Sequence, residues 1–225
     1  MGAFKAVAFD YDGTLFDTRP AIVHSIQRTF ENAGRPVPPL EDIVRTIASG
    51  AALPDTFLIL DRVLRQQPAT LQDRIKTYRA IYLAEGMPLL NPFAGVHNVL
   101  RQLRDDCIKC IVISNKGIAA IERSLAIADL TSFIDMVLAD APGMPRKPDP
   151  RLLTDHVLPK FAGLRNQDIL MVGDTEADIH FAKATGMACC WAAYGFGDAE
   201  RCRALKPEYE IAGIEELPAI IASPA

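Results

Sequence analysis

Short, nearly uninterrupted apolar runs are the feature of this 225-residue sequence that most constrains its fold. Five such runs are separated by stretches of helical periodicity, with a weaker sixth run around Ile211: Ala6–Phe9, Ile111–Ile113, Met136–Ala139, Ile169–Val172 and Met187–Trp191. A strand with one face in water alternates apolar and polar residues, whereas a strand buried on both faces does not. The runs therefore predict an α/β fold, a doubly wound parallel sheet covered by helices.

The interval between the first two runs, from Thr18 to Leu90, has helical patterns and no convincing strand. Apolar residues at helical spacing predict three helices, marked by Ile22, Ile26 and Phe30, by Phe57, Leu60 and Leu64, and by Leu71, Ile75, Tyr78 and Tyr82. A weaker helical pattern covers Leu40–Ile47, and Asn91–Gly95 then breaks the periodicity. We expect a core domain of residues 1–17 and 91–225, with a helical cap domain of residues 18–90 inserted into it.

The composition argues against several classes of protein. Lys and Arg number 24 and Asp and Glu 28, so the formal net charge of −4 gives no basic surface for nucleic acid or for an anionic membrane. The apolar runs fall far short of the ~20 residues that a membrane-spanning helix needs. Asp10 and Asp12 interrupt the N-terminal region before a signal peptide could form. Five cysteines, an odd number, favour a reduced cytoplasmic location over a disulfide framework. No feature predicts an oligomeric state.

Polar residues follow three of the predicted strands. Asp10-Tyr11-Asp12-Gly13-Thr14 follows the first run, Ser114-Asn115-Lys116 the second, and Gly173-Asp174-Thr175-Glu176-Ala177-Asp178 the fourth. Ligands of parallel α/β sheets bind outside the carboxyl ends of the strands, so we expect these segments to meet in one crevice. Lys147, held in an extended loop by the prolines that follow it, is a fourth candidate for the same place.

The residue types indicate phosphoryl chemistry. A carboxylate such as Asp10 can act as a nucleophile and form an aspartyl-phosphate. Asp12 lies on the same side of an extended chain, so it can give a proton to the leaving oxygen and later take one from water. Gly13 permits a tight turn near a ligand, while Ser114 and Lys147 can bind phosphoryl oxygens.

Four carboxylates in one crevice would repel one another. Two unit charges at ~4 Å repel by about 4 kcal/mol at an effective dielectric constant near 20. Asp10, Asp12, Asp174 and Asp178 form several such pairs, and Lys147 offsets only part of the repulsion. A divalent cation is the simplest remedy, and hard oxygen ligands favour Mg²⁺.

The four motifs, in this order, resemble those of the haloacid dehalogenase-like superfamily of phosphohydrolases. The resemblance spans essentially the whole chain, and Ser114-Asn115-Lys116 with Lys147-Pro148-Asp149-Pro150 is most similar to the phosphoglycolate phosphatase branch. It implies a Rossmann-type core, with residues 18–90 as a mobile cap whose substrate loop is Ser49-Gly50-Ala51-Ala52. It also implies Mg²⁺ as the cofactor and a small phosphorylated metabolite as the partner.

Site roles follow from the same resemblance. It implies Asp10, Asp12, Ser114 and Lys147 as catalytic residues, and the phosphate site is expected at Gly13, Thr14, Ser114, Asn115 and Lys147. The expected metal site comprises Asp10, Asp12 through its backbone carbonyl, Asp174 and Asp178.

Each motif also has a simpler interpretation. Asp-x-Asp-Gly alone is often only a turn, and Ser114 could cap a helix instead of, or as well as, binding phosphate. Lys147 could be a solvated loop residue, and Asp178 a helix-surface acid.

The function predicted is a Mg²⁺-dependent phosphatase of a small phosphate monoester, with phosphoglycolate as the first candidate substrate. A sugar-phosphate phosphatase, a phosphomutase and a non-catalytic phosphate-binding protein are the alternatives. A dehalogenase does not need Asp12 or Mg²⁺, and a phosphate-accepting receiver domain does not need so long a helical insert.

Overall fold

A computed structural model of the protein describes residues 4–141 and 143–222. Six strands form one parallel sheet: β1 (Ala6–Phe9), β4 (Lys109–Gly117), β5 (Met136–Asp140), β6 (Ile169–Gly173), β7 (Ala188–Ala192) and β8 (Tyr209–Ile211). Two short antiparallel strands, β2 (Phe16–Asp17) and β3 (Asn91–Pro92), pair separately. All six predicted strands are present, and the α/β fold with a parallel sheet is confirmed.

Nine α-helices occur in the described part of the chain. Four lie between β2 and β3: α1 (Arg19–Asn32), α2 (Leu40–Ala48), α3 (Leu53–Leu60) and α4 (Pro68–Ile81). The other five accompany the sheet: α5 (Val96–Asp105), α6 (Ile118–Ile127), α7 (Glu176–Thr185), α8 (Ala199–Ala204) and α9 (Leu217–Ala222).

The sheet is buried on both faces, which explains the uninterrupted apolar runs. In β1, Val7 and Phe9 pack into one hydrophobic cluster with residues of α5, α6 and α9. Ala6 and Ala8 pack into a second cluster on the other face, with residues of α7 and α8. Successive side chains of a strand point to opposite faces, so every position of β1 is apolar.

The strand order places the sequence motifs side by side. The sheet runs β5-β4-β1-β6-β7-β8, and the chain moves outward from β1 first through β4 and β5 and then through β6, β7 and β8. β1 and β6 therefore flank the point where the direction of winding changes. A crevice opens at the carboxyl edge of a sheet at such a point.

The helical insert, which we define as residues 18–90, packs around its own apolar cluster. Ile26, Phe30, Ile43, Phe57 and Tyr78 are among its buried members. Its two connections to the sheet run antiparallel as β2 and β3, with Phe16 opposite Pro92 and Asp17 opposite Asn91.

Two local predictions in the insert have different outcomes. Leu40–Ile47 is confirmed as helical, within α2. The single helix through Phe57 and Leu64 is wrong, because α3 ends at Leu60 and a separate 3₁₀ turn begins at Arg62. Asp61 breaks the helix: its Oδ1 accepts a hydrogen bond from the Val63 backbone N–H at 3.2 Å and so starts a new turn.

In the described residues, no helix is both long enough and apolar enough to cross a lipid bilayer.

The packing of α5 against the sheet generates the first prediction. Leu100 is fully buried there, whereas Ile127 at the end of α6 is 66% exposed. Leu100→Ala leaves a cavity and should lower the free energy of unfolding by about 2–5 kcal/mol, while Ile127→Ala should change it by less than about 0.5 kcal/mol. Urea denaturation of both variants measures the difference. Equal effects would show that the face of α5 bearing Leu100 is not core.

Candidate active site

The polar ends of three neighbouring strands meet at the carboxyl edge of the sheet. Asp10 follows β1, and its backbone N–H donates to the Val172 carbonyl of β6 at 2.8 Å. Asp174 follows β6, and Ser114 lies in β4 on the other side of β1. The topology therefore brings Asp10 together with Ser114 and Asp174, which are both more than a hundred residues away from it in sequence.

A buried cluster of charges occupies this edge. The Lys147 Nζ lies 2.6 Å from the Asp10 Oδ1 and 2.6 Å from the Asp178 Oδ1. One carboxylate oxygen from each of Asp10, Asp174 and Asp178 lies within 4.8 Å of the others. All four side chains belong to buried residues. Lys147 is thus not a solvated loop residue, and Asp178 is not a surface acid.

Burial sets the protonation of the cluster. Desolvation raises the pKa of Asp10 to about 6, although the Lys147 ammonium opposes the rise. Desolvation, with the charges of Asp10 and Asp178, raises the pKa of Asp174 well above its usual range. Burial alone would lower the pKa of Lys147, but the two carboxylates beside it outweigh burial and raise it. Lys147 therefore stays protonated. Its single positive charge does not balance the charges of the three carboxylates.

The cluster fits a divalent cation. When all three acids are ionised, Asp10, Asp174, Asp178 and Lys147 together carry two uncompensated negative charges. Oxygen ligands from close carboxylates are the donors that Mg²⁺ prefers. Asp10, Asp174 and Asp178 are the side chains that would hold the ion. The Asp12 carboxylate is not one of this group.

Gly13 and Thr14 support Asp174. Gly13 has φ +75°, and a Cβ built on it would lie 2.1 Å from the Asp174 Oδ2, so only glycine fits this turn. The Thr14 hydroxyl donates to the Asp174 Oδ1 at 3.3 Å. Contact of either residue with phosphate stays a prediction.

A loop that the sequence interpretation missed also holds Asp174. The Phe196 backbone N–H donates to the Asp174 Oδ2 at 2.7 Å, and the Trp191 Nε1–H donates to its backbone carbonyl at 2.9 Å. The flanking Gly195 and Gly197 have no room for a Cβ, which would lie 2.2 Å and 2.0 Å from atoms of Asp174. The Gly-Phe-Gly sequence was the available signal, because paired glycines often mark a close backbone approach.

Asp178 is fixed at the start of α7. Its Oδ2 accepts hydrogen bonds from the Thr175 backbone N–H at 3.0 Å and from the Thr175 hydroxyl at 2.8 Å. Gly173 leaves the space that Asp178 fills, since a Cβ there would lie 2.3 Å from its carboxyl carbon. Asp178 thus presents its other oxygen, Oδ1, to Lys147.

Asp12 has its own cation, separate from the cluster. The Lys116 Nζ donates to the Asp12 Oδ1 at 2.8 Å. The same ammonium lies 4.1 Å from the centre of the Tyr82 ring, which belongs to the helical insert. Burial alone would lower the pKa of Lys116, but the Asp12 carboxylate together with Tyr78 and Tyr11 outweighs burial, and the pKa rises. The two acids of the first motif therefore sit in different electrostatic surroundings.

Asn115, the residue that follows Ser114, contacts Lys147. The Asn115 side chain accepts from the Lys147 backbone N–H at 2.9 Å and donates to its carbonyl at 3.4 Å, so Asn115 positions the lysine. Its predicted contact with phosphate stays a prediction. Ser114 does not cap a helix: β4 continues to Gly117, and Gly117 is the residue that precedes α6.

A cavity of about 320 Å³ lies between the charged cluster and the helical insert. Asp10, Asp12, Ser114 and Lys147 line its sheet side. Several residues of the insert line the opposite side, including Gly50 and Ala51 of the predicted substrate loop. The arrangement presents a nucleophilic carboxylate, a second acid and a lysine to one cavity.

Comparison with known families decides the class of protein. The family model of the haloacid dehalogenase-like hydrolases matches residues 7–192, which include all four motifs and the insert. This chain belongs to that family. The predicted family is confirmed, as is the prediction that the chain is an enzyme, a hydrolase.

Relatives and solved structures agree with this membership. A protein named pyrophosphatase PpaX from Halalkalibacterium halodurans is 26% identical over 95% of this chain and 94% of its own length. A phosphoglycolate phosphatase from Pseudomonas putida is 27% identical over 98% and 81%. The structure of a haloacid dehalogenase-like family hydrolase from Streptococcus pneumoniae superposes with a TM-score of 0.82 at 23% identity, covering 96% of this chain and 98% of that one.

Repulsion within the cluster predicts a pH-dependent stability. A folded-state pKa raised at Asp174 means that the folded protein keeps a proton that the unfolded chain loses near pH 4. Without divalent cation, the free energy of unfolding of the wild type relative to Asp174→Asn should therefore fall as pH rises from about 4 to 7. Saturating Mg²⁺ should remove this fall, since the ion binds the folded carboxylates.

Urea denaturation at each pH, with chelator and then with Mg²⁺, measures this difference. The Asn variant serves as the control because it keeps the shape of Asp174 without its charge. A difference that stays constant or rises with pH would contradict the raised pKa of Asp174.

Proposed function

We propose that this hydrolase is a Mg²⁺-dependent phosphatase that releases phosphate from a small phosphorylated metabolite through an aspartyl-phosphate. One observation carries the proposal: Asp10 and Asp12 line the same cavity in different surroundings. Asp10 belongs to the carboxylate cluster, whereas Asp12 lies outside it and pairs with Lys116. A nucleophile and an acid–base group need separate environments of this kind.

In the first step, a carboxylate oxygen of Asp10 attacks phosphorus. The bond between phosphorus and the alcohol oxygen breaks, and the Asp12 carboxyl gives its proton to that oxygen. In the second step, water attacks the phosphorus of the aspartyl-phosphate while Asp12 takes a proton from it. The acyl-phosphate bond breaks, and inorganic phosphate and the Asp10 carboxylate are regenerated.

The remaining residues bind and orient the phosphoryl group. Bound at Asp10, Asp174 and Asp178, Mg²⁺ would neutralise phosphoryl oxygens and so lower the repulsion that the Asp10 carboxylate meets. Lys147, fixed as an ammonium beside Asp10, supplies a second positive charge. The Ser114 hydroxyl lines the same end of the cavity and can donate to a phosphoryl oxygen.

The helical insert serves as a cap in this proposal. Residues 18–90 would form a cap domain over a core of residues 1–17 and 91–225, with hinges at Asp17-Thr18 and Asn91-Pro92. The support is the position of the insert across the cavity and the pairing of its two connections as β2 and β3. A cap that opens admits the substrate, and one that closes excludes water from the phosphoryl site.

The proposal so far does not specify the alcohol part of the phosphate ester. Relatives named phosphoglycolate phosphatase make phosphoglycolate the first candidate substrate. A cytoplasmic location stays a prediction.

Asp10→Asn tests the nucleophile. A carboxamide has a similar shape but is a poor nucleophile, so turnover of p-nitrophenyl phosphate with Mg²⁺ should fall by on the order of 10⁴-fold, while the melting temperature stays close to or above that of the wild type. Asp106→Asn makes the same change at an exposed residue just after α5 and should keep full activity. Steady-state kinetics on both purified variants decides the matter, and a largely active Asp10→Asn enzyme would overturn the proposal.

A further inference from the structure

Among the described residues that line the cavity, Arg79 is the one cation that the helical insert contributes. It lies in α4, and Asp140 at the end of β5 lines the cavity beside it. The Arg79 Nη2 donates to the Asp140 Oδ2 at 3.1 Å. The Arg79 side chain is 53% exposed, whereas that of Asp140 is only 10% exposed. Arg79 therefore lies at the rim, where a molecule in the cavity can reach its guanidinium.

The charge around Arg79 is not balanced. The Nε–H of Arg146 donates to the other oxygen of Asp140, Oδ1, at 2.8 Å. Two guanidinium groups thus share one carboxylate, and the three side chains together carry one uncompensated positive charge. A guanidinium has five N–H donors, and Arg79 donates only one hydrogen bond to the described residues. Arg79 can therefore bind a further anion without releasing Asp140.

The other two cations of the described lining have no such excess charge. The Lys116 Nζ lies 2.8 Å from the Asp12 Oδ1, and the ionised pair is neutral. Lys147 lies between Asp10 and Asp178, in a cluster whose net charge is negative. Other residues of the insert in the lining are apolar, among them Ile22, Ile47, Leu53 and Leu83. An anion unpaired against apolar side chains is strongly unfavourable, so Arg79 is the partner that the cavity offers to a second anion.

Two strand spacings separate the nucleophile from the ion pair of Arg79. Asp140 ends β5, and β4 lies between β5 and β1, the strand that leads to Asp10. Neighbouring strands are ~4.8 Å apart, so β5 and β1 lie about 10 Å apart across the sheet. A short ester that extends from Asp10 can cover this distance together with the side chains at its two ends.

We propose that the substrate carries a second anionic group at the end opposite its reacting phosphoryl group, and that the Arg79 guanidinium binds this group. The inference rests on the proposed function, because it takes phosphoryl transfer to Asp10 as given. A carboxylate and a second phosphoryl group both present paired oxygens to a guanidinium. The substrate class is thus a small phosphate compound with one of these two groups, and Arg79 is a residue that determines specificity.

The first experiment compares anionic substrates with a neutral ester of the same shape. Isobutyl phosphate has two methyl groups where phosphoglycolate has its carboxylate oxygens, and pyrophosphate supplies a second phosphoryl group. With Mg²⁺, kcat/KM for phosphoglycolate or for pyrophosphate should exceed that for isobutyl phosphate by at least about tenfold. The better of the two anionic substrates identifies the kind of anion.

The same measurements separate this inference from the proposed function. If p-nitrophenyl phosphate is hydrolysed but neither anionic substrate is preferred over isobutyl phosphate, the inference is overturned and the phosphatase stands. Failure to hydrolyse p-nitrophenyl phosphate would instead overturn the proposed function, and this inference with it.

The second experiment removes the guanidinium. Arg79→Gln should lower the ratio of kcat/KM for the preferred anionic substrate to that for isobutyl phosphate by about tenfold, the order expected for one charge-assisted hydrogen bond. The loss should lie mainly in KM, and Arg79→Lys, which keeps the charge, should restore part of the ratio. Arg45→Gln makes the same change at an arginine of the insert that pairs with Asp42, is 76% exposed and lies outside the described cavity lining, so the ratio should not change. An unchanged ratio in Arg79→Gln would overturn the inference.

The third experiment separates an anion site from a mere contact between the insert and the core. The ion pair of Arg79 with Asp140 joins α4 of the insert to β5, and loss of such a contact would affect every substrate alike. Asp140→Asn removes the shared carboxylate but keeps both guanidinium groups. It should keep the ratio or raise it by up to about fivefold, because a half-exposed ion pair no longer competes for Arg79. A lower ratio in Asp140→Asn, or equal losses in Arg79→Gln on anionic, isobutyl and p-nitrophenyl substrates, would overturn the inference.

Discussion

The structure depends on a cluster of buried like charges at the carboxyl edge of its sheet. Lys147 pairs with Asp10 and Asp178, and Asp174 lies close to both acids, so the cluster carries negative charge that a divalent cation would offset. Such a cluster persists only on a rigid support, because buried carboxylates would otherwise separate or turn to water. The fully buried strands β1 and β6 provide that support, and the glycines around Asp174 let the backbone approach its carboxylate closely.

The two sides of the cavity have opposite chemistry. The sheet side holds the charges that act on phosphorus, whereas the helical insert contributes mainly apolar side chains. Lys116 lies where the two sides meet, because it pairs with Asp12 of the core and packs on the Tyr82 ring of the insert. A change in the position of the insert would therefore alter the charge environment of Asp12, the group that we propose for proton transfer.

Much of the fold followed from the sequence because strands buried on both faces leave an apolar signature, and the acids at their ends could be placed on one edge by topology alone. The course of the chain through the insert was harder to predict from the sequence. Asp61 ends α3 through a side-chain hydrogen bond that helical periodicity does not register. Asn115 and Phe196 act through contacts with residues at least 20 positions away.

The central claim is that Asp10 carries the phosphoryl group while Asp12 moves the protons. Asp12→Ala removes the base that activates water but leaves the nucleophile and the carboxylate cluster. An activated ester such as p-nitrophenyl phosphate needs little protonation of its leaving group, so phosphorylation should proceed and hydrolysis should stall. Intact-mass measurement after rapid quenching should then show one phosphoryl group on the protein, and none on an Asp10→Asn, Asp12→Ala double variant. Continued turnover of Asp12→Ala without any covalent adduct would contradict the account.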